Sequence, residues 1–596
     1  MKHEKLVTII PKSCADKLFG FYNRQIIIKG VFMKKTTKVL SLVLAMGMVS
    51  GAFAGCNGGF NNNTSGDEML ITIMNAGGGV GQQWLDNAIE RYKEKMSTHE
   101  WSNGQVGVDF EVTSQLDEQV ETMGSAGYNI YFTEHTPTAL ELSQKNMVIP
   151  ITDIVTEKSD TRDGQPISIE DKMGVQFREN VKGADGEYYA LPHFSLFGGL
   201  TYDQDLFDTL GFYFAAPVEE QSSQDVVESF TCKYGDALFA LKGAKKSCGN
   251  DGKYGTLDDG LPTTVQELFV LCKKMIDSGC EPLVVRYGMY YGYYLEEALW
   301  SALATEEEVR ARFSYTGKVR IVDGYEDTPL FKGIDYIKTP KIKEVDVVPA
   351  TGYLVNDSVA RYYAIAIQEV LMREGWFSAY VDRPELTHID MMKNFYYSGK
   401  NGRTKQGLFI EGDYWHNEAV TNGVVSEYEK VTKDKNRKLA WFPMPTALTG
   451  TVNENQGRTL CMLNGSKSLS FINANISDNA ALVEACKDFL KFCYSDDELS
   501  AFTGCTGVGR GALNYKIKDE HKTDMYYFNK TVVETKELNN VVLLDKMDNI
   551  HYNNDIYSPM LGVQYTSSLA AFQKTSRGTI DVFNSRRTSE SEWTLK

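Results

Sequence analysis

DGEYYALPHFSLFGGLTYDQDLFDTLGF, residues Asp185–Phe212, is the stretch on which the reading of the fold turns. Asp185-Gly186 is a tight-turn signal, because a type I′ turn needs positive φ at both central positions. Glu187–Leu191 and Leu196–Tyr202 are rich in aromatic and apolar residues and read as strands interrupted at Pro192. Asp203 is placed to cap a short helix over Gln204–Leu210, and Gly211 supplies a left-handed stop. Hairpin, long strand and capped helix follow one another without a break.

With 596 residues the chain exceeds what one hydrophobic core organises. Its 42 % hydrophobic and 24 % charged residues are ordinary for a globular protein, whereas 12 % aromatics, including 33 Tyr and 29 Phe, are high. Aromatic rings with polar tips fill cores and also suit the faces of sugars. Residues 1–55 hold nine Lys/Arg and two Asp/Glu; the remainder carries 53 basic and 77 acidic groups, a balance of −24. A body that acidic argues against direct binding of nucleic acid, which needs a basic surface.

The amino-terminal region reads as an export signal. Met33-Lys34-Lys35-Thr36-Thr37-Lys38 is a basic segment, Val39–Val49 an apolar run too short to span a bilayer, and small residues follow to Cys56. Phe53-Ala54-Gly55-Cys56 resembles the lipobox of bacterial lipoproteins, with Phe53 in place of the usual Leu. The resemblance implies lipidation at Cys56. Residues 33–55 are then a lipoprotein signal peptide, 1–32 an upstream extension and 56–68 a Gly/Asn-rich flexible tether. The other eight cysteines beyond the leader show no framework spacing. Cys232 and Cys248 are a pairing that sequence leaves open.

Along the mature chain, Met69–Ala76 is a buried-type strand leading into Gly77-Gly78-Gly79-Val80-Gly81 and a helix over Gln82–Met96. Trp84 occupies the place of the third glycine of a dinucleotide fingerprint, so a close-approach loop is expected instead. Val106–Thr113 and Tyr128–Thr133 are further strands, the latter ending in Glu134-His135. Thr264-Val265-Gln266-Glu267 is a capping box, and Ala480–Phe502 reads as one amphipathic helix. Gly249–Gly260 clusters Asp251, Asp258 and Asp259 on a Gly-rich loop, which could hold a structural calcium ion, although the spacing is not that of an EF-hand.

The run from Asp185 through Tyr189 and Pro192 to Tyr202, Asp203, Asp205, Leu206, Phe207 and Gly211 resembles a segment of bacterial extracellular solute-binding proteins of the sugar-binding family 1. Asp203 stands where that family has Asn. Met147–Val155, the Pro262–Pro282 passage, Gln406–Trp415, Leu439–Pro445 and Gly504–Arg510 resemble further family motifs in the same order. The resemblance spans about residues 69–515. It implies an α/β, two-lobed periplasmic-binding-protein-like fold, each lobe a doubly wound sheet flanked by helices, with a ligand cleft between. The expected division puts 69–197 with about 400–458 in one lobe, and 198–399 with about 459–596 in the other. The implied function is capture of a sugar or oligosaccharide by hinge closure and delivery to the permease subunits of an ATP-driven ABC importer. The protein would be a monomer, lipid-anchored outside a Gram-positive cell membrane.

Candidate ligand residues are Asn75, Trp84, Glu134, His135, His193, Phe194, Phe197, Tyr287, Tyr290, Tyr291, Tyr414, Trp415 and Arg510, with Ser195 on the cleft floor. Signatures for a serine nucleophile, a zincin or a P-loop are absent. Two carboxylates suffice for a glycosidase, so a secreted carbohydrate-active enzyme is the rival reading, and a peptide receptor of similar shape a third.

Overall fold

The computed structural model describes residues 68–115, 123, 127–134, 137–241, 243–286, 291–449, 459–461, 468–537, 540–542, 578–585, 587, 589–590 and 593. All lie in one compact unit, Thr64–Lys596. The signal segment, Cys56, His135, Tyr287 and Tyr290 fall outside the described residues.

Two α/β sheets organise the chain. The first contains β1 (Met69–Ala76), β2 (Val108–Gln115), β3 (Ile130–Phe132), β4 (Leu191–Pro192) and, much later in sequence, Leu469–Ile472. β1 runs parallel to both β2 and β3, whereas Leu469–Ile472 pairs antiparallel with β3 and bridges it to β4. Ile71, Ile73 and Met74 are fully buried, as a central parallel strand covered on both faces requires. Helices Gln83–Met96 and Ala480–Cys493 pack on this sheet. Pro192, which lacks an N–H, sits on the edge strand.

The second sheet contains β5 (Gly198–Asp203), β6 (Cys280–Val284), β7 (Lys405–Gly412) and β8 (Leu439–Phe442), in spatial order β6-β7-β5-β8. β6 is parallel to β7, and β5 is antiparallel to both its neighbours. Helix Gly292–Leu303 and helix Tyr527–Glu537 pack on this sheet. Residues 193–197 therefore carry the chain from one sheet to the other, as the opening stretch implies.

The strand pairing corrects the expected division of the chain. Lys405–Gly412 and Leu439–Phe442 pair with β5 and belong to the second half. Leu469–Ile472 pairs with β3 and β4 and belongs to the first half. The chain thus crosses back between Phe442 and Leu469, and hydrophobic periodicity carries no information about that choice. The expected helix over Ala480–Phe502 is two helices, Ala480–Cys493 and Asp496–Thr506. Ser495 caps the second by accepting from the Glu498 amide, a local hydrogen bond that competes with continued helix. A long antiparallel hairpin, Gly317–Phe331 with Ile334–Val347, was not expected. The turn at Asp185-Gly186 places only Gly186 at positive φ, 82°, so it is not type I′. Cys232 and Cys248 are free thiols.

The glycine pair Gly198-Gly199 serves close packing. A Cβ on Gly198 would lie 2.5 Å from Cα of Tyr294, and one on Gly199 2.5 Å from the Trp441 ring. Both faces of β5 are thus covered by close neighbours. Asp203 also finds its reason. It caps the helix Gln204–Leu210 by accepting from the Leu206 amide and receives Arg437 through two bonds of 2.7 and 2.6 Å, with both side chains buried. Asp205 takes a third bond from Arg437 at 2.7 Å. Asn at position 203 could cap the helix but not neutralise the guanidinium. Asp203→Asn is expected to destabilise the protein by about 1–3 kcal/mol, because it removes the buried partner of Arg437 and leaves the partly exposed Asp205 as its remaining carboxylate. Chemical denaturation measures it, and an unchanged midpoint would contradict the pairing.

Candidate functional site

The crossing segment is pinned from three directions. The His193 amide donates to the Ser468 carbonyl at 2.8 Å, the Ser195 amide to Gly509 at 2.9 Å, and the Phe197 amide to the Asp413 carboxylate at 3.1 Å. Its side chains divide three ways: Phe194 toward the glycine loop after β1, Ser195 and Phe197 toward a cavity, and His193 into the core.

At the glycine loop the two halves touch. The Gly79 amide donates to Glu418 Oε1 at 3.1 Å, joining the loop after β1 to the helix Trp415–Thr421 that follows β7. Gly79 has φ of 55°, and a Cβ there would meet the Phe194 ring at 3.1 Å. A Cβ on Gly78 would stand 2.7 Å from Glu134 Oε2 and 3.7 Å from Glu418 Oε1. Two carboxylates, one from each half, thus converge on a backbone that only glycine leaves open. Asn75 is fully buried and steadies the loop by donating to the Gly81 carbonyl at 3.2 Å.

Glu411, at the end of β7, lies close enough to Glu418 for the two carboxyls to repel. It is buried; one oxygen accepts from the Gly412 amide at 3.1 Å, and Oε2 has no hydrogen-bond partner. The Tyr414 hydroxyl meets that of Tyr294 at 3.0 Å, and the Tyr291 and Tyr294 rings stack 5.1 Å apart. Burial, with repulsion from Glu134 adding to it, pushes the Glu418 carboxyl up to about 7, against the opposing Gly79 N–H. Burial, then Glu418, holds the Glu411 carboxyl well above its ordinary range.

Trp84, His193 and Arg510 come together, but beneath the crossing segment. The Arg510 guanidinium lies 4.4 Å from the Trp84 and Phe502 ring centres and donates to His193 Nδ1 at 2.9 Å. All three are buried, and burial followed by the Arg510 charge keeps His193 neutral. They form a cation–aromatic core that supports the segment. Ser195 and Phe197 line a cavity of about 810 Å³ with Phe177, Gly509, Tyr515 and Lys536.

Trp415 departs most from expectation. It is fully buried, donates from Nε1 to Thr201 Oγ1 at 2.9 Å and packs edge-on against Phe409 and Phe528. It is a core residue of the second half, not a ring offered to a ligand. In the 249–260 loop, Asp258 accepts from the Asn250 and Asp251 amides at 2.6 and 3.0 Å, and Asp259 from Gly255 at 2.7 Å. The carboxylates serve their own turn. No group of three or more His, Cys, Asp or Glu among the described residues is arranged to hold a metal ion. Gly78 and Gly79 form the close-approach loop expected after β1, whereas Glu411 and Glu418, which meet it, escaped sequence reading. The one available signal was a glutamate at the end of an otherwise apolar strand.

No protein-family model and no curated protein matches the sequence. Among solved structures, the chain is similar to a probable secreted solute-binding lipoprotein from Streptomyces coelicolor, at 13 % identity over 89 % of this chain and 99 % of that one, with a TM-score of 0.48. It is similar to a chitin oligosaccharide binding protein at 10 % identity over 88 % and 98 %, TM-score 0.47. It is also similar to the cyclic alpha-maltosyl-1,6-maltose binding protein of Arthrobacter globiformis at 10 % identity over 87 % and 97 %, TM-score 0.46.

Two outcomes follow from this geometry. Trp415→Ala is expected to cost about 3–5 kcal/mol of stability by opening a core cavity, read by denaturant unfolding; full stability with lost ligand binding would return Trp415 to the site. The folded Glu418 carboxyl titrates near 7 against an ordinary 4.5, so the native state holds more protons between those values and loses stability as pH rises through that window. Glu418→Gln should therefore raise the melting temperature at pH 8 relative to the parent, with the gain vanishing near pH 4.5. An equal gain at both pH values would show that Glu418 is not the titrating group.

Proposed function

We propose that this chain is the exported, lipid-anchored solute-binding component of an ABC importer, and that it captures a sugar or oligosaccharide between its two halves. The observation that carries the reading is the Gly79–Glu418 hydrogen bond. It joins loops from two separate sheets beside the crossing segment, so a molecule held there would touch both halves. Closure around a solute requires contacts that differ between open and closed states, and residues from both sides meeting at one point supply them. Phe194, Tyr291 and Tyr414 stand beside Glu134 and Glu418, and since Phe194 and Tyr414 are buried here, their rings would reach a sugar only as the halves part. Phe53-Ala54-Gly55-Cys56 supports the anchor at Cys56, and the shape of the proposed closed state is what permease subunits would read.

The converging Glu134 and Glu418 also favour the glycosidase reading, since two carboxylates flanking a bond are what that chemistry needs. One experiment separates them. Purified protein incubated with an oligosaccharide panel should show a rise in melting temperature with at least one sugar and no change in the sugar's chain length by chromatography. Appearance of shortened products would make it an enzyme. Stabilisation by peptides alone would make it a peptide receptor.

A further inference from the structure

The cavity beside Ser195 and Phe197 is distinct from the junction that carries the proposed function. Its volume of about 810 Å³ falls in the range of small-molecule sites, and Gly78, Gly79, Glu134 and Glu418 are not among its described lining residues. Its walls come from both halves. Thr503 lies on the helix Asp496–Thr506, which packs on Gln83–Met96 of the first half, and the chain 507–517 continues from it. Val533, Lys536 and Glu537 lie on the helix Tyr527–Glu537, which packs on β8 of the second half.

Two kinds of surface meet in this space. Phe177, Phe197 and Tyr515 bring rings, and Leu513, Ile517 and Val533 bring aliphatic groups. The wall hydroxyls are already engaged: Thr503 Oγ1 meets the Tyr515 hydroxyl at 2.6 Å, and Ser195 Oγ donates to the Gly509 carbonyl at 3.3 Å. A ligand rich in hydroxyls finds few partners there. The charged groups are Arg310, Lys516, Lys522 and Lys536 against one carboxylate, Glu537. On a chain with 53 basic and 77 acidic groups beyond residue 55, that is a local reversal of sign. Lys522 pairs with Glu537 at 2.9 Å. Arg310 pairs with Glu306 at 2.7 Å and Lys536 with the buried Asp413 at 2.6 Å, and neither carboxylate is among the described lining residues. Lys516 meets Asp163 at 3.9 Å with both side chains largely exposed, a contact worth little in water.

We infer that this cavity is a second ligand site, which takes a small aromatic carboxylate. The aromatic ring packs among Phe197, Tyr515 and Ile517, and the carboxylate accepts charge-assisted hydrogen bonds from Lys516 and Lys522. Such a ligand touches both halves and the crossing segment at once. The inference does not depend on sugar capture at the Gly79–Glu418 junction.

Calorimetry of the full protein at pH 7 tests this with three probes: 4-hydroxycinnamate, 4-hydroxycinnamyl alcohol, which keeps the ring without the charge, and galacturonate, which keeps the charge without the aromatic ring. The expected result is binding of 4-hydroxycinnamate at least about tenfold tighter than of either other probe, a difference of about 1.4 kcal/mol. Lys516→Gln combined with Lys522→Gln should remove most of the preference over the alcohol. Ile517→Trp, at a half-buried position on the wall, should block binding by filling the space; the melting transition verifies the folding of both variants. Hydrogen–deuterium exchange with 4-hydroxycinnamate bound should slow at 507–517 and 533–537. Equal binding of the alcohol, or a preference untouched by the lysine changes, would overturn the carboxylate assignment. Equal binding of galacturonate would overturn the aromatic one. Failure of 4-hydroxycinnamate to bind, or slowing at 77–81 in place of 507–517, would overturn the site itself. Sugar capture at the junction stands or falls separately, on the oligosaccharide panel.

Discussion

One buried carboxylate holds the crossing segment to the second half of the molecule. Asp413 accepts from the Phe197 amide at 3.1 Å, returns its own amide to the Phe197 carbonyl at 2.9 Å, and is paired with Lys536 at 2.6 Å. It is 1 % exposed. A charge buried to that extent is tolerated only when fully partnered, so the exchange is geometrically strict. It sets where β5 begins, and hence where the glycine loop, Phe194 and Glu418 meet. On the first half the same segment is tied by Ser468 and Gly509, whose positions depend on the Arg510 cluster below. Function sits on a strand whose two ends are anchored differently.

Several local elements were legible because local chemistry and tertiary demand agree there. MLITIMNA could only be a covered strand, and Asp203 with Gly211 marks a helix start and stop that the structure reproduces, Gly211 at φ of 65°. The capping box at Thr264 and Glu267 likewise forms as spaced. What failed was long-range. Whether Lys405–Gly412 pairs with β5 or β1 depends on sheet partners 200 residues away, and no periodicity encodes it. Ala480–Phe502 misled because its apolar spacing continues through Ser495, where a single hydroxyl ends one helix and begins another.

The site was legible in its location but less so in its members. Glu134, Phe194, Tyr291 and Tyr414 lie at the junction of the halves. Trp84, His193, Arg510 and Trp415 were drawn in by residue type, and the core claimed them, since large aromatic and cationic side chains also stabilise interiors. Glu418 was missed for the opposite reason. On an amphipathic helix a glutamate reads as solvated surface, and only the neighbouring glycine loop turns it into a group held near neutrality.

The central claim is that segments from both sheets close together on one solute. Hydrogen–deuterium exchange of the full chain, with and without a bound sugar, tests it most directly. The account predicts simultaneous slowing at 77–81 on the first half and at 411–418 on the second, with the crossing segment 193–197 protected in both states. Slowing confined to one half, or to the cavity beside Phe197 and Tyr515 alone, would contradict it.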